Sequence, residues 1–296
     1  MKKPGKRSEK YVMDASTGIS TGGSTITPES IAQFRRTILS YYAENRRDLP
    51  WRHTTDPYHI LVSEIMLQQT QVARVMTKYP EFISAFPAFA DLARAPLSSV
   101  LAVWQGMGYN RRAMALKTCA QKVMDEFNGE LPSDTGILAT FPGIGKATAG
   151  SIAAFAFNMP VVFIETNIRR VFIHFFFDER SNIPDTDILP LAGQALEGQD
   201  PGTWYSALMD YGTMLKGEIQ NPNRRSAHYA RQTKFEGSDR EIRGQIIRSL
   251  IKEQELDETI LAGKFGSDPG RVYRILGTLE KEGYLIRSNG SARLSE

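Results

Sequence analysis

Two stretches of this 296-residue chain hold residues whose types and spacing suit chemistry. The first is Ile60-Leu-Val-Ser-Glu64-Ile-Met-Leu67, an otherwise apolar helical run with one carboxylate. Desolvation of such a group raises its pKa, which suits a general acid. At a helix edge the same glutamate would simply face water. The second is Leu138-Ala-Thr-Phe-Pro-Gly-Ile-Gly-Lys-Ala-Thr-Ala-Gly150, where Pro142-Gly143-Ile144-Gly145 turns sharply into a helix of small residues. Two glycines permit positive φ and close approach of another molecule. The amides of the turn and of the next helix's first turn lack intrahelical partners, so they suit a phosphate. The same turn also serves as a plain connector between helices.

Helical patterning positions these residues. Thr27-Pro-Glu-Ser opens a helix over 28–44, with Thr27 as cap and Ile31, Phe34, Ile38 and Tyr41 on one stripe. A loop over 45–56 holds Leu49-Pro-Trp51-Arg52. Helices are predicted over 58–68, 71–86, 92–95, 96–106 and 111–127, and 134–140 leads into the glycine turn. Val161 to Ile164 follows Pro160 and is too short for more than an extended connector. Helices over 167–177, 187–197 and 204–215 come next.

Residues 221–238 are polar, basic and aperiodic, the pattern of a linker loop. Helical patterns over 239–252, 258–265 and 269–283 follow, closed by a hairpin turning at Asn289-Gly290. This ending has the pattern of a winged helix-turn-helix domain, in which Arg271 and Arg274 face DNA from the recognition-helix place. A small protein-protein module with solvated arginines has the same pattern. The domain plan is a disordered basic tail over 1–26, a helical domain over 27–220, a linker over 221–238 and a winged-helix-like α+β domain over 239–296. The fold class is all-α apart from that last domain.

Composition sets outer limits. Apolar residues make up 41% of the chain and no run is long enough for a membrane span, so no membrane partner is expected. A net charge of +3 makes any nucleic-acid surface a local patch. Cys119 is the one cysteine, which excludes an intrachain disulfide and fits a small buried apolar residue. His53, His59, His174 and His228 are scattered and make no metal set. The basic start has no apolar core behind it, so a cytoplasmic protein is expected.

Glu64-Ile-Met-Leu-Gln-Gln-Thr-Gln71, Trp104-Gln-Gly-Met-Gly-Tyr-Asn110 and Phe141-Pro-Gly-Ile-Gly145 occur in this order, with Glu165 downstream. Together, over 31–212, they resemble the helix-hairpin-helix (HhH-GPD) DNA glycosylase superfamily, and within it the MutY-type adenine mismatch glycosylases. The resemblance implies an enzyme that flips a base from duplex DNA and hydrolyses its N-glycosidic bond to leave an abasic site. Glycosidic chemistry uses one carboxyl neutral enough to donate a proton and one charged. The motif implies that Glu64 protonates the adenine and Glu165 stabilises the sugar cation.

The same resemblance assigns further roles. Gln68 and Gln69 match residues that wedge into the base stack, and Tyr109 stands where the family places an aromatic beside the mismatch partner. Gly143 and Gly145 present amides to a phosphate, and Lys146, Arg169 and Arg170 add charge. Trp51, Arg52 and Leu67 match base-pocket positions, although Trp51 and Leu67 equally suit plain core packing. Asp210 stands where the adenine enzymes use a glutamate to hold the base.

The chain differs from some or all members of the family in four places. Glu165 replaces an aspartate, which moves the carboxylate outward by on the order of 1.5 Å, a displacement that can cost about a hundredfold in rate. Ala147 stands where bifunctional members such as endonuclease III carry a lysine nucleophile, which predicts a monofunctional glycosylase. No cysteine follows Asp210, so the family's four-cysteine iron–sulfur cluster is not expected, nor any other cofactor. The domain that checks for 8-oxoguanine is replaced by the winged-helix-like segment.

The expected partner is double-stranded DNA with a mismatched or damaged base, met by a monomer. Adenine in a mismatch is the leading substrate; thymine or uracil opposite guanine is the alternative. A DNA-binding protein for distorted DNA that has lost catalysis is the competing class.

Overall fold

Prolines and capping side chains set where the helices begin in the computed structural model, which describes residues 26–178, 180–230, 234–264 and 268–295. The tail predicted over 1–26 lies, but for Ile26, outside the described residues. Among the described residues the chain forms α1 (Pro28–Asn45), α2 (Pro57–Leu67), α3 (Val72–Ala85), α4 (Phe89–Arg94), α5 (Leu97–Val103), α6 (Arg111–Glu126) and α7 (Thr135–Leu138). Then come α8 (Lys146–Phe157), α9 (Thr166–Phe176), α10 (Asp185–Leu196), α11 (Pro201–Glu218), α12 (Asp239–Glu253), α13 (Glu258–Lys264) and α14 (Pro269–Lys281). Strands β1 (Glu255–Asp257), β2 (Leu285–Ser288) and β3 (Ser291–Leu294) complete the set. The all-α expectation with a small C-terminal α+β segment holds.

Thr27 caps α1 as predicted, in a reciprocal box with Ser30. The cap on α11 is less visible in the sequence. Asp200 accepts from the Thr203 amide and Pro201 occupies the first turn, so α11 starts earlier than the 204 its apolar pattern suggests.

The chain divides into two units. One comprises residues up to 55, 133–136 and 145–231. Its core is aromatic: Phe34 of α1 meets Phe172, Phe175, Phe176 and Trp204, with ring centroids 5.0–5.8 Å apart. Glycines let its backbones close up. A Cβ on Gly150 of α8 would lie 2.7 Å from Phe163 Cβ, and one on Gly212 of α11 would lie 2.6 Å from the Asn167 carbonyl.

The stretch after α11, predicted as a linker, is packed in its first part. It forms a 3-10 turn over Pro222–Arg225 with Pro222 and Asn223 buried. Asn223 Nδ2 donates to Thr166 O at 2.8 Å, and Arg225 donates to the carbonyls of Ile173 and Phe177. The Arg225 bonds satisfy carbonyls at the C-terminal end of α9, and the Asn223 bond ties the stretch to the helix start at Thr166.

The other unit comprises 56–132, 137–144 and 232–296. Leu61, Ile65, Val75, Phe82, Trp104 and Leu116 are buried in its helical part. The C-terminal segment packs α12 against α5, and Arg111 and Arg243 both donate to Glu282. Its sheet has the order β1-β3-β2, all antiparallel, with Leu256 opposite Ala292 and Leu285 opposite Leu294. The predicted hairpin turns at Asn289 and Gly290, with φ of 51° and 79°, the left-handed pair that a two-residue turn of matching twist needs.

Candidate active site and nucleic-acid interface

Glu64 projects from α2, where Ile60, Leu61, Val62, Ser63, Ile65 and Met66 are all buried. Glu64 itself is half-buried, as is Leu67. The helix then stops abruptly. Gln68 leaves helical geometry and exposed Gln69 takes a left-handed φ of 52°. That conformation is uncommon for a residue with a side chain and costs of order 1 kcal/mol.

The stop depends on a residue that motif reasoning passes over. Arg112 of α6 is buried, and its Nη1 donates to the carbonyls of Ile65, Met66 and Gln68 at 3.1, 2.8 and 2.5 Å. Its Nη2 donates to Met107 O and Gly108 O at 3.0 and 3.1 Å. One guanidinium thus satisfies the open end of α2 and fixes the 104–110 loop, which Trp104 Nε1 also grips through Gly108 O at 3.1 Å. Burial lowers the Arg112 pKa to about 10. A signal exists in the sequence: Arg112 shares the helical stripe of Leu116, Cys119 and Val123, all buried.

Tyr109 leaves this loop with a φ of 48° and 38% of its surface exposed. Two guanidinium carbons lie near its ring, Arg112 at 5.5 Å and Arg240 of α12 at 5.9 Å from the centroid. The backbone at Gln68 and the loop of Tyr109 are therefore held by one arginine within one unit.

In the glycine turn the two glycines do different jobs. Gly143 has a φ of 77°, and a Cβ there would meet Ala115 Cβ at 3.0 Å. Gly145 has a φ of −88° and nothing within 4 Å of an added Cβ. The first is required by the protein's own turn. The second departs from the expectation of positive φ: Gly145 is the N-cap of α8, a place that glycine fills well, and the space beside it is open. Gln68 Nε2 donates to Gly143 O at 3.0 Å, joining the end of α2 to the turn. Cys119 Sγ donates to Pro142 O at 3.3 Å beneath them, and burial pushes its thiol up to about 12. Lys146, the first residue of α8, is exposed.

Glu165 is half-buried and caps α9. Its Oε1 accepts the Asn167 and Ile168 amides at 2.6 and 2.8 Å, and Oε2 accepts Asn167 Nδ2 at 3.3 Å. Burial raises its pKa; the two amides, then Arg170 and Arg169, pull against that. The cap fixes the carboxylate and turns it toward its own helix. The neighbouring arginines differ from the predicted phosphate contacts. Arg170 is 3% exposed and donates to Asn221 Oδ1, Asn167 Oδ1 and Gly212 O, so it cements α9 to α11. Arg169 is paired to Asp185 through two bonds of 2.6 and 2.7 Å.

Two of the predicted pocket residues, Arg52 and Asp210, are locked together. Asp210, 2% exposed on α11, accepts from Arg47 Nε and Arg52 Nη2 on one oxygen at 2.6 and 2.8 Å. Its other oxygen accepts the Arg47 amide and Arg52 Nη1, both at 2.9 Å. Burial pushes the Asp210 carboxyl up, but the Arg52 hydrogen bond and charge, then Arg47, hold it below its ordinary value. Trp51 is buried beside this cluster in sequence. Arg47, in an irregular loop, carries no sequence signal for this role.

On α14, Arg271 is turned back onto the start of α12, donating to Asp239 and Gly237 O at 2.7 and 2.8 Å. Arg274 is largely exposed, 3.8 Å from Asp239. A four-cysteine cluster has no donor set in this chain, since Cys119 is its one cysteine and is buried. Among the described residues no group of three or more His, Cys, Asp or Glu side chains is placed to hold a metal ion. Among them no helix is long and apolar enough to cross a membrane.

The model of the HhH-GPD superfamily base excision DNA repair proteins matches residues 62–187. The adenine DNA glycosylase of Mycolicibacterium smegmatis is 32% identical over 283 residues, which are 87% of this chain and 94% of that one. That of Buchnera aphidicola subsp. Baizongia pistaciae is 37% identical over 187 residues, 62% of this chain, and the chain spans 52% of its length. Among solved structures, a thermostable thymine-DNA glycosylase matches with a TM-score of 0.59 and 28% identity, covering 66% of this chain and 91% of that one.

Proposed function

This chain belongs to the HhH-GPD superfamily of base excision DNA repair proteins, and on that footing we propose that it is a monofunctional adenine DNA glycosylase acting on mismatched duplex DNA. The observation that carries the reading is Glu64, half-buried on an apolar helix that stops at Gln68 and the left-handed Gln69.

In the proposed reaction the mismatched adenine is flipped out and Glu64 donates a proton to it. The N-glycosidic bond breaks and its electron pair leaves with the base. Ionised Glu165 stabilises the cationic sugar, water adds to C1′ and loses a proton, and an abasic site remains. Ala147, in place of a lysine, supplies no amine for a covalent route. Gln68, Gln69 and Tyr109 enter the stack, while Gly143, Gly145 and Lys146 bind a phosphate.

Excision of thymine or uracil opposite guanine is the second reading, favoured by the likeness to the thymine-DNA glycosylase. Short duplexes with adenine opposite guanine or 8-oxoguanine, and with thymine or uracil opposite guanine, separate the two. Alkali-dependent nicks at adenine support the first reading, and nicks at the pyrimidine the second. Tight binding with no nick on any duplex would reject both.

A further inference from the structure

We propose that the C-terminal module lends Arg240 to the duplex beside Tyr109, where it recognises the base opposite the excised one and favours guanine. This rests on the assignment of Tyr109 to the duplex made above.

Arg240 is the second residue of α12, and its Nη1 donates to the Tyr109 hydroxyl at 3.0 Å. Tyr109 is exposed at a left-handed backbone position, strain of the kind proteins retain where a side chain serves a ligand. The module is fastened at this place. Arg111, two residues past Tyr109, and Arg243, three past Arg240, both donate to Glu282. Ile242 and Ile246 bury the opposite face of α12, so the start of the helix is fixed over the Tyr109 loop.

The chemistry of the pair follows. A base that stacks on the tyrosine ring presents its edge toward the hydroxyl end, where the guanidinium lies. Stacking on an aromatic ring accepts every base. A guanidinium fork does not, because it matches the O6 and N7 acceptors of guanine. The ring supplies affinity and the arginine supplies the choice.

The test uses the full chain with Glu64→Gln, so that bound substrate stays intact, and measures binding to adenine paired with guanine, 7-deazaguanine or cytosine. The deaza base replaces N7 by C–H and leaves the ring to stack. Binding to the guanine duplex is expected to exceed the deaza duplex by about 5- to 100-fold, the range of one two-point base contact. Adding Arg240→Ala should erase that ratio. Adding Arg240→Lys should also erase it while keeping overall affinity within a few-fold. An equal loss on every duplex would make Arg240 a phosphate contact and overturn the proposal, as would an unchanged ratio. Failure of the Glu64→Gln chain to prefer any mismatch over a matched duplex would instead reject the assignment of Tyr109 itself.

Discussion

Arg112 Nη1 lies 2.5 Å from the carbonyl oxygen of Gln68, and the same guanidinium holds Met107 and Gly108 through Nη2. The end of the helix that carries Glu64 and the loop that carries Tyr109 are thus joined by one buried cation. Arg112→Ala is expected to lower stability by about 3 kcal/mol, because several buried carbonyls lose their donor. Arg112→Lys retains the charge but cannot serve both sets of carbonyls. Denaturant unfolding should show a loss for the lysine variant as well, of about 2 kcal/mol. Wild-type stability for Arg112→Lys would show that charge alone suffices.

The two glycines of the turn should separate folding from binding. Gly143→Ala meets both a positive φ and Ala115 Cβ, and is expected to cost about 1–3 kcal/mol. Gly145→Ala meets neither, so its stability should stay within about 1 kcal/mol of wild type. Its affinity for duplex DNA should nevertheless fall several-fold, since the added methyl group blocks the phosphate. Wild-type affinity for Gly145→Ala would remove this turn from the interface.

Asp210 tests the polar cluster. Asp210→Asn leaves Arg47 and Arg52 without their buried counter-charge and should destabilise by about 3 kcal/mol. The sign of its pH dependence follows from its lowered pKa. The stabilisation is present above the unfolded aspartate value and is lost as pH falls through the still lower folded one. Melting curves from pH 6 downward should therefore drop steeply in acid for the wild type, and more gently for Asp210→Asn.

Part of this site is visible in the sequence and part is not. The glycine turn, the Thr27 cap and the Asn289-Gly290 hairpin rest on local rules of patterning and turn chemistry, whereas Glu64 and the Gln68-Gln69 pair stand out only through the resemblance of their motif. The hold of Arg112 on the end of α2 and that of Arg47 on Asp210 act through carbonyls or a carboxylate about 40 or more residues away; the helical stripe shows that Arg112 is buried but not what it binds. Strand β1, only Glu255–Asp257, is too short to show an alternating pattern. The inward turn of Arg170 was hidden for a related reason, because its partners Asn221 and Gly212 come from later elements.

Glu165 has the opposite pH behaviour to Asp210. Burial raises its pKa despite the two cap amides. Any stability gained from its protonated form is present below the unfolded glutamate value and is lost as pH rises through the folded one. Catalysis needs the ionised form, so the rate should fall in acid below that raised pKa, and the acid limb should vanish in Glu165→Gln. Glu165→Asp, a better helix cap with a shorter reach, should fold at least as well as wild type. Its single-turnover rate measures what the extra methylene costs; a rate below that of Glu165→Gln would contradict a role in stabilising charge.

Release of free adenine from a duplex with adenine opposite guanine, in single-turnover reactions of wild type and Glu64→Gln, tests the central claim most directly. Wild type should release the base and leave an alkali-labile site. Glu64→Gln should bind the same duplex as tightly and release adenine at least about a hundredfold more slowly, the scale of a lost general acid. Equal release by the two proteins would contradict the account.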